Sequence, residues 1–275
     1  MKNTILNIPV ADLHPFPGNP FAVREDMELQ ESVRDYGIIS PLVVRSRAEG
    51  GYEIISGHRR KAACEAAGIE KVPAVVRELD DNAAVIALVD SNLHREYVLP
   101  SEKAHAYKLK LDAIKHQGVA CGQPVHKSRD MVAENESGRQ VQRYIRLNEL
   151  DPQLLQMVDD GKIALSPAVE LSYLTPQEQA DLITTMDTEE RTPSHAQAIR
   201  MRRLSADGKL DMDTIFAIMT EEKPNQKEQI KLKAESIQRF FPKGYSPRQM
   251  QDTILKLLAE WQQRREKAAR NRDAR

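Results

Sequence analysis

The stretch Tyr52-Glu53-Ile54-Ile55-Ser56-Gly57-His58-Arg59-Arg60-Lys61-Ala62-Ala63 passes from a β-rich run into a helical pattern through a single glycine. The junction has a chemical meaning as well as a structural one. Glycine lets the backbone approach an anion, the first N–H groups of the helix point at it, and Arg59 and Arg60 supply charge-assisted hydrogen bonds, an arrangement suited to a polyphosphate. Arginines in a first helical turn oppose the helix dipole and therefore need a compensating anion. A carboxylate of the protein could supply it as well as a phosphate, and arginines that begin a helix are commonly plain surface residues.

Outward from this junction, residues 1–100 alternate β-rich runs with helical patterns, which predicts a small mixed α/β domain. Ile5–Ile8, Pro41–Arg45, Tyr52–Ser56 and Val72–Leu79 read as strands. Asp26–Tyr36 carries Leu29 and Val33 at i, i+4 and is followed by Gly37, a helix with a glycine stop. Gly50-Gly51 marks a hairpin turn. Further helices are predicted over His58–Ala67, ending at Gly68, and over Asn82–Leu93 behind the cap candidates Asp80 and Asp81.

From Pro100 the strand signals vanish, which places a domain boundary near residue 100. Ser101 is a cap candidate for a helix running to His116, with Gly118–Pro124 a loop. Ser128–Asn135, the turn Glu136–Gly138 and Arg139–Leu147 have the lengths of a helix-turn-helix. In its second helix Val141, Tyr144 and Ile145 fall on one face, while Arg139, Gln142, Arg143 and Arg146 fall on the other. That second stripe, with Gln140 beside it, suits a major groove: Arg bonds guanine, Gln bonds adenine, and Arg on phosphate fixes the register. Lys127, Ser128 and Arg129 at the start of the first helix could hold a DNA phosphate. An ordinary amphipathic helix with solvated arginines is the competing reading. Further helices begin near Pro152, Pro167, Pro176 and Pro193, and Glu221–Glu228 is a polar joint before the last one.

The formal net charge is −1, yet residues 101–150 hold 9 basic against 6 acidic side chains and residues 251–275 hold 7 against 4. Two basic blocks thus punctuate an acidic chain, and charge by itself does not establish nucleic-acid binding. The two cysteines, Cys64 and Cys121, have no CxxC spacing, and His58 and His94 lack further ligands at useful spacing, so neither a disulfide framework nor a zinc site is expected. With no apolar run long enough to span a bilayer and no signal-peptide pattern at the start, a cytoplasmic protein is expected.

Three ordered segments resemble the ParB partition proteins: Gly37-Ile38-Ile39-Ser40-Pro41-Leu42-Val43-Val44-Arg45, Gly57-His58-Arg59-Arg60-Lys61-Ala62-Ala63, and Ser91-Asn92-Leu93-His94-Arg95-Glu96 leading to Leu99-Pro100-Ser101-Glu102-Lys103-Ala104. The resemblance covers residues 1 to about 175. It implies a CTP site with magnesium in which Gly57, Arg59 and Arg60 contact the triphosphate, Asn92 and Arg95 line the pocket beside His58, and Pro41 to Arg45 form its wall. It further implies a dimer that closes around DNA as a clamp at a centromere-like site, a ParA-like ATPase partner and a nucleoid-associated location. The family usually has glutamate where this chain has His58 and Ser91, so slow or absent CTP turnover is expected. The related sulfiredoxin-like enzymes carry a nucleophilic cysteine before a His-Arg pair, where this chain has Gly57.

The expected fold class is α+β, with a nucleotide-binding domain over 1–100, a helical helix-turn-helix domain over 101–220 and a helical segment over 221–275. In the last, Met250, Ile254, Leu257, Leu258 and Trp261 make an apolar stripe suited to packing within the chain or across a dimer, followed by a basic tail. A helix-turn-helix regulator whose first domain binds no nucleotide is the alternative function.

Overall fold

The computed structural model describes residues 5–24, 26–95, 97–121, 136–221, 240–242 and 244–273. Two compact units divide the chain, residues 1–221 and 222–275. The first opens with β1 (Ile5–Pro9), a 3-10 turn, β2 (Leu13–His14), α1 (Met27–Tyr36), β3 (Leu42–Ser46), β4 (Tyr52–Ser56), α2 (His58–Ala67), β5 (Lys71–Val76) and α3 (Asp81–Leu93). The strands form one mixed sheet in the order β1-β5-β3-β4-β2. β3 pairs antiparallel with β4 (Arg45 opposite Glu53) and parallel with β5 (Leu42 opposite Ala74).

Ile54 and Ile55 are neighbours in sequence and both are 1% exposed. Successive strand side chains point to opposite faces, so a strand buried on both sides needs apolar residues in succession. Ile54 joins a cluster with Val33 of α1, Leu42, Val44, and Ala63 and Cys64 of α2. Ile55 joins Phe16 and Ala84 and Leu88 of α3. The sheet therefore lies between α1 and α2 on one side and α3 on the other.

The rest of this unit is helical: α4 (Pro100–Cys121), α5 (Gly138–Arg146), a 3-10 turn Leu147–Glu149, α6 (Pro152–Asp159), α7 (Leu165–Leu171), α8 (Pro176–Glu189), α9 (His195–Ala206) and α10 (Met212–Thr220). Its core includes Leu147, Leu154, Leu171, Leu182, Met201 and Ile215, none more than 1% exposed. α8 and α9 begin on capping boxes, Thr175 with Glu178 and Ser194 with Gln197. Among the described residues no helix is long and apolar enough to cross a membrane.

Three consecutive residues in the first turn of α4 reach in three directions. Ser101 donates through its backbone N–H (2.9 Å) and its hydroxyl to the Asp159 carboxylate of α6. Glu102 accepts from Ala22 N (3.0 Å) and from Leu99 N (3.1 Å). Lys103 pairs with Glu136 at 2.8 Å, just ahead of α5, and lies 5.1 Å from the Tyr144 ring centroid.

Several boundaries differ from the sequence reading. α4 starts one residue before Ser101, because Pro100 suits a first helical position and Glu102 reaches back to the Leu99 N–H; Ser101 is thus inside the helix rather than its cap. The helix continues to Cys121, through Gly118 where a loop was expected. β5 stops at Val76, and β2 and α10 carried no signal strong enough to predict. The first helix of the expected helix-turn-helix, with Lys127, Ser128 and Arg129, lies outside the described residues, as does the 222–228 part of the polar joint.

In the second unit α11 spans Pro247–Asp273. Ser246 and Gln249 bond reciprocally at its start, the Ser246 N–H to Gln249 Oε1 at 2.9 Å and the Gln249 N–H to Ser246 Oγ at 3.3 Å. Leu257, Leu258 and Trp261 of the apolar stripe are each more than half exposed.

Candidate functional site

Two neighbourhoods hold the candidate residues, and the first is built on the start of α2. Gly57 has φ +112°, and a Cβ there would lie 2.7 Å from Leu42 Cγ, so both the backbone and the packing require glycine. No side chain caps α2 and no acidic residue sits in its first turn, which leaves that turn electropositive.

Beside it is a cleft of about 150 Å³, lined by Arg24, Asp26, Gln30 and, from α2, Arg59, Ala62 and Ala66. Asp26 is the N-cap of α1, its Oδ1 accepting from Leu29 N at 3.0 Å, and its Oδ2 accepts from Arg59 Nη2. Arg59 Nε is buried and has no hydrogen-bond partner among the described residues. Arg95, after α3, stands 5.6 Å from the Phe21 ring. Burial, together with the charges of Arg59 and Arg24, lowers its pKa, and Glu102 opposes that shift. Arg24 and Arg59 thus line the cleft and Arg95 stands near enough to feel both charges, an excess of positive charge that favours an anion.

The other expected pocket residues have structural partners. Arg60 Nη1 donates to the carbonyls of Ser40 and Pro41, the latter at 3.0 Å, and so ties α2 to the loop before β3. Arg45 pairs with Glu53 and with Asp81 (2.8 Å) and lies 5.5 Å from the Phe16 ring centroid, toward the α3 side. Burial lowers its pKa, but the bonds to Glu53 and Asp81 outweigh this and raise it. His58 is buried, and its Nε2 accepts from Phe16 N at 3.3 Å, so the proton of the neutral ring is on Nδ1. Burial, then the charges of Arg95 and Lys61, lower its pKa from 6.5 to about 4. Asn92 is 3% exposed and donates to Leu88 O at 2.7 Å and Ser91 Oγ at 3.1 Å; Ser91 Oγ donates to Leu88 O at 2.9 Å. Sequence reasoning missed Arg24, Asp26, Gln30 and Glu102. Asp26 was legible only as a helix boundary.

The second neighbourhood is α5, capped by Ser137, whose side chain accepts from Gln140 N. Val141 is fully buried, and Tyr144 and Ile145 pack beside it against Tyr107 and Leu111 of α4. Of the opposite stripe, Arg139 is exposed and Gln142 half-buried. Arg143 donates to Gln140 Oε1 at 3.0 Å and to Ser166 Oγ of α7 at 2.7 Å. Arg146 donates to Ser172 Oγ (3.2 Å) and Ser172 O (2.7 Å) and lies 4.2 Å from the Tyr173 ring, which Arg202 also approaches at 3.7 Å. Two of the stripe's arginines are thus held against α7 and the turn after it.

Residues 1–93 match the family of the ParB N-terminal domain. That match is confined to the sheet-bearing part of the first unit. Similarity to curated relatives extends beyond it: the chromosome-partitioning protein Spo0J of Thermus thermophilus is 34% identical over 179 residues, 64% of this chain and 62% of that protein. The stage 0 sporulation protein J of Bacillus subtilis is 34% identical over 168 residues, 60% of this chain and 56% of that protein. The chain thus spans about three fifths of the length of these curated relatives. A solved structure, the C-terminally truncated ParB of Caulobacter crescentus complexed with CTP-gamma-S, aligns over 64% of this chain and 96% of that chain at 24% identity and a TM-score of 0.32.

Proposed function

We propose that the protein is a DNA-binding partition protein whose ParB N-terminal domain binds CTP through the arginine-lined cleft. The observation that carries the nucleotide reading is the cleft lined by Arg24 and Arg59 beside the uncapped start of α2, with Arg59 Nε without a partner among the described residues. In this reading Arg59, Arg24 and the first N–H groups of α2 hold the phosphates, and Arg95 closes the side toward α3. Gly57 and Arg60 support them through the backbone, Pro41 through the loop that Arg60 grips, and His58 and Asn92 by fixing the ends of α2 and α3. Arg45 acts from the sheet beneath rather than from the cleft's rim.

Among the described residues there is no group of three or more His, Cys, Asp and Glu side chains placed to hold a metal ion. His58 offers no charge and Ser91 is engaged with Leu88 O, so a hard cation finds few oxygen ligands here beyond those of a nucleotide. The reading is of a nucleotide binder with slow or absent turnover, since His58 and Ser91 stand where the family usually has glutamate.

The DNA reading rests on α5. Arg139, Gln140, Gln142, Arg143 and Arg146 present donors to a duplex at a centromere-like site, and Lys127, Ser128 and Arg129, outside the described residues, add positive charge and donors in the sequence just before them. Residues 1–100, 101–220 and 221–275 then act as nucleotide, DNA and association segments. The exposed stripe of α11 makes a homodimer, and a ParA-like ATPase acts as partner in a nucleoid-associated, cytoplasmic setting.

Calorimetric titration with CTP, ATP and GTP in magnesium buffer, on the wild type and Arg59→Ala, tests the nucleotide reading. Saturable binding of CTP alone, lost in the variant, is expected. Binding of no nucleotide would leave a helix-turn-helix regulator with a silent first domain.

A further inference from the structure

Arg59 shares a carboxylate with a helix cap. Its Nε and Nη2 form one two-donor edge of the guanidinium, the edge that a carboxylate or phosphate ordinarily engages with two oxygens. Here Asp26 Oδ2 accepts only from Nη2, while Nε is buried without a partner among the described residues. Asp26 Oδ1 accepts instead from Leu29 N at 3.0 Å as the N-cap of α1 and makes no bond to Arg59. The half-made pairing thus goes with the cap that orients the carboxylate.

We infer that Asp26 is a counter-ion gate on the cleft: an incoming phosphate takes the Nε–Nη2 edge of Arg59 only by displacing Asp26 Oδ2. This rests on the nucleotide reading of the same cleft. Glu102, the other carboxylate near the cluster, has both oxygens committed to Ala22 N and Leu99 N and is not free to leave. Asp26 is the member that can be released, since its side chain is 27% exposed and water can take up the freed oxygen. Exchange favours an anion that brings more charge than the one it displaces. The gate thus discriminates triphosphates from monophosphates, which bring less charge and gain less by replacing one carboxylate. Its cost is weaker binding of every anion than Arg24, Arg59 and Arg95 would otherwise give.

The test compares the full chain with Asp26→Asn and Asp26→Ser, both good N-cap residues that keep an acceptor for Leu29 N while removing the charge. Calorimetry with CTP and with CMP is the measurement. Both variants are expected to bind CTP roughly three- to tenfold more tightly, the range of a partly exposed ion pair released from competition. CMP is expected to gain more than CTP, so that the CTP-to-CMP preference narrows. Wild-type binding of CTP with unchanged or weaker binding in both variants would overturn the gate and leave the nucleotide reading intact. Failure of the wild type and both variants to bind any nucleotide or inorganic tripolyphosphate would overturn the nucleotide reading, and the gate with it.

Discussion

Arg59 and Arg146 are both arginines near a helix end, and their surroundings differ in kind. Arg146 meets neutral oxygens of Ser172 and the face of Tyr173, which fix its geometry while leaving its charge uncancelled. Arg59 alone pairs with Asp26, while Arg24 lines the same cleft and Arg95 nearby feels the charges of both. A cation held by neutral acceptors is part of the scaffold and can still touch a distant phosphate. A crowd of cations with an unmet donor costs stability until an anion arrives. The contrast explains how one residue type serves for positioning in α5 and for ligand capture in the cleft.

The most direct way to break this contrast is Arg59→Ala. Loss of a two-donor charged contact is expected to weaken CTP binding by about 100-fold while changing DNA affinity little in the absence of nucleotide. Equal losses in both assays would show that Arg59 serves the fold. His58 sharpens the contrast from below, as a base kept neutral by burial under these cations. The unfolded chain takes up its proton near pH 6.5 and the folded chain near pH 4, so His58 contributes its full stability above pH 6.5. That contribution is lost as the pH falls toward 4, by up to about 3 kcal/mol. Urea titrations across this range should show the acid loss shrinking in His58→Gln, which keeps an acceptor for the Phe16 N–H; an unchanged slope would assign the loss to other groups.

Smaller effects separate the two groups by stability. Arg146→Met should destabilise the protein by about 1–2 kcal/mol, through the lost bonds to Ser172 and the contact with Tyr173. Arg95→Met should cost less than about 0.5 kcal/mol, because removing one of three crowded cations relieves the others. The reverse order in chemical denaturation would invalidate the distinction. Arg139→Ala is expected to lower DNA affinity about tenfold and to reduce the slope of log affinity against log salt by about 1. A base-specific change with no change in slope would move Arg139 from phosphate to base recognition.

Much of the fold was legible because local signals agreed with it. Gly37 and Gly68 stop α1 and α2 where expected, Asp80 caps α3, and the apolar pair Ile54-Ile55 marks a strand covered on both faces. β2 escaped notice because two residues carry no periodicity, and Pro100 with Glu102 displaced the cap expected at Ser101. Around the cleft, Arg59 could be singled out from the chain because it follows a strand-to-helix glycine. The residues that the fold imports could not: Arg24 and Asp26 reach the cleft from more than 30 positions upstream, and Glu102, more than 40 positions downstream, holds Ala22 N two residues before Arg24. No spacing rule links them. In α5 the period separated buried Val141 from exposed Arg139, yet periodicity says nothing of Ser166 and Ser172, which hold Arg143 and Arg146.

The first turn of α4 implies a rule about which changes the chain can absorb. Ser101, Glu102 and Lys103 each fasten a different part of the protein, and each does so through a single side chain that a similar residue could imitate. Substitution is therefore tolerable one position at a time. Inserting or deleting one residue within this turn is another matter, since it swings the following anchors by about 100° around the helix axis. Length is held here more tightly than identity, so natural variants should differ at these positions in residue type long before they differ in residue count.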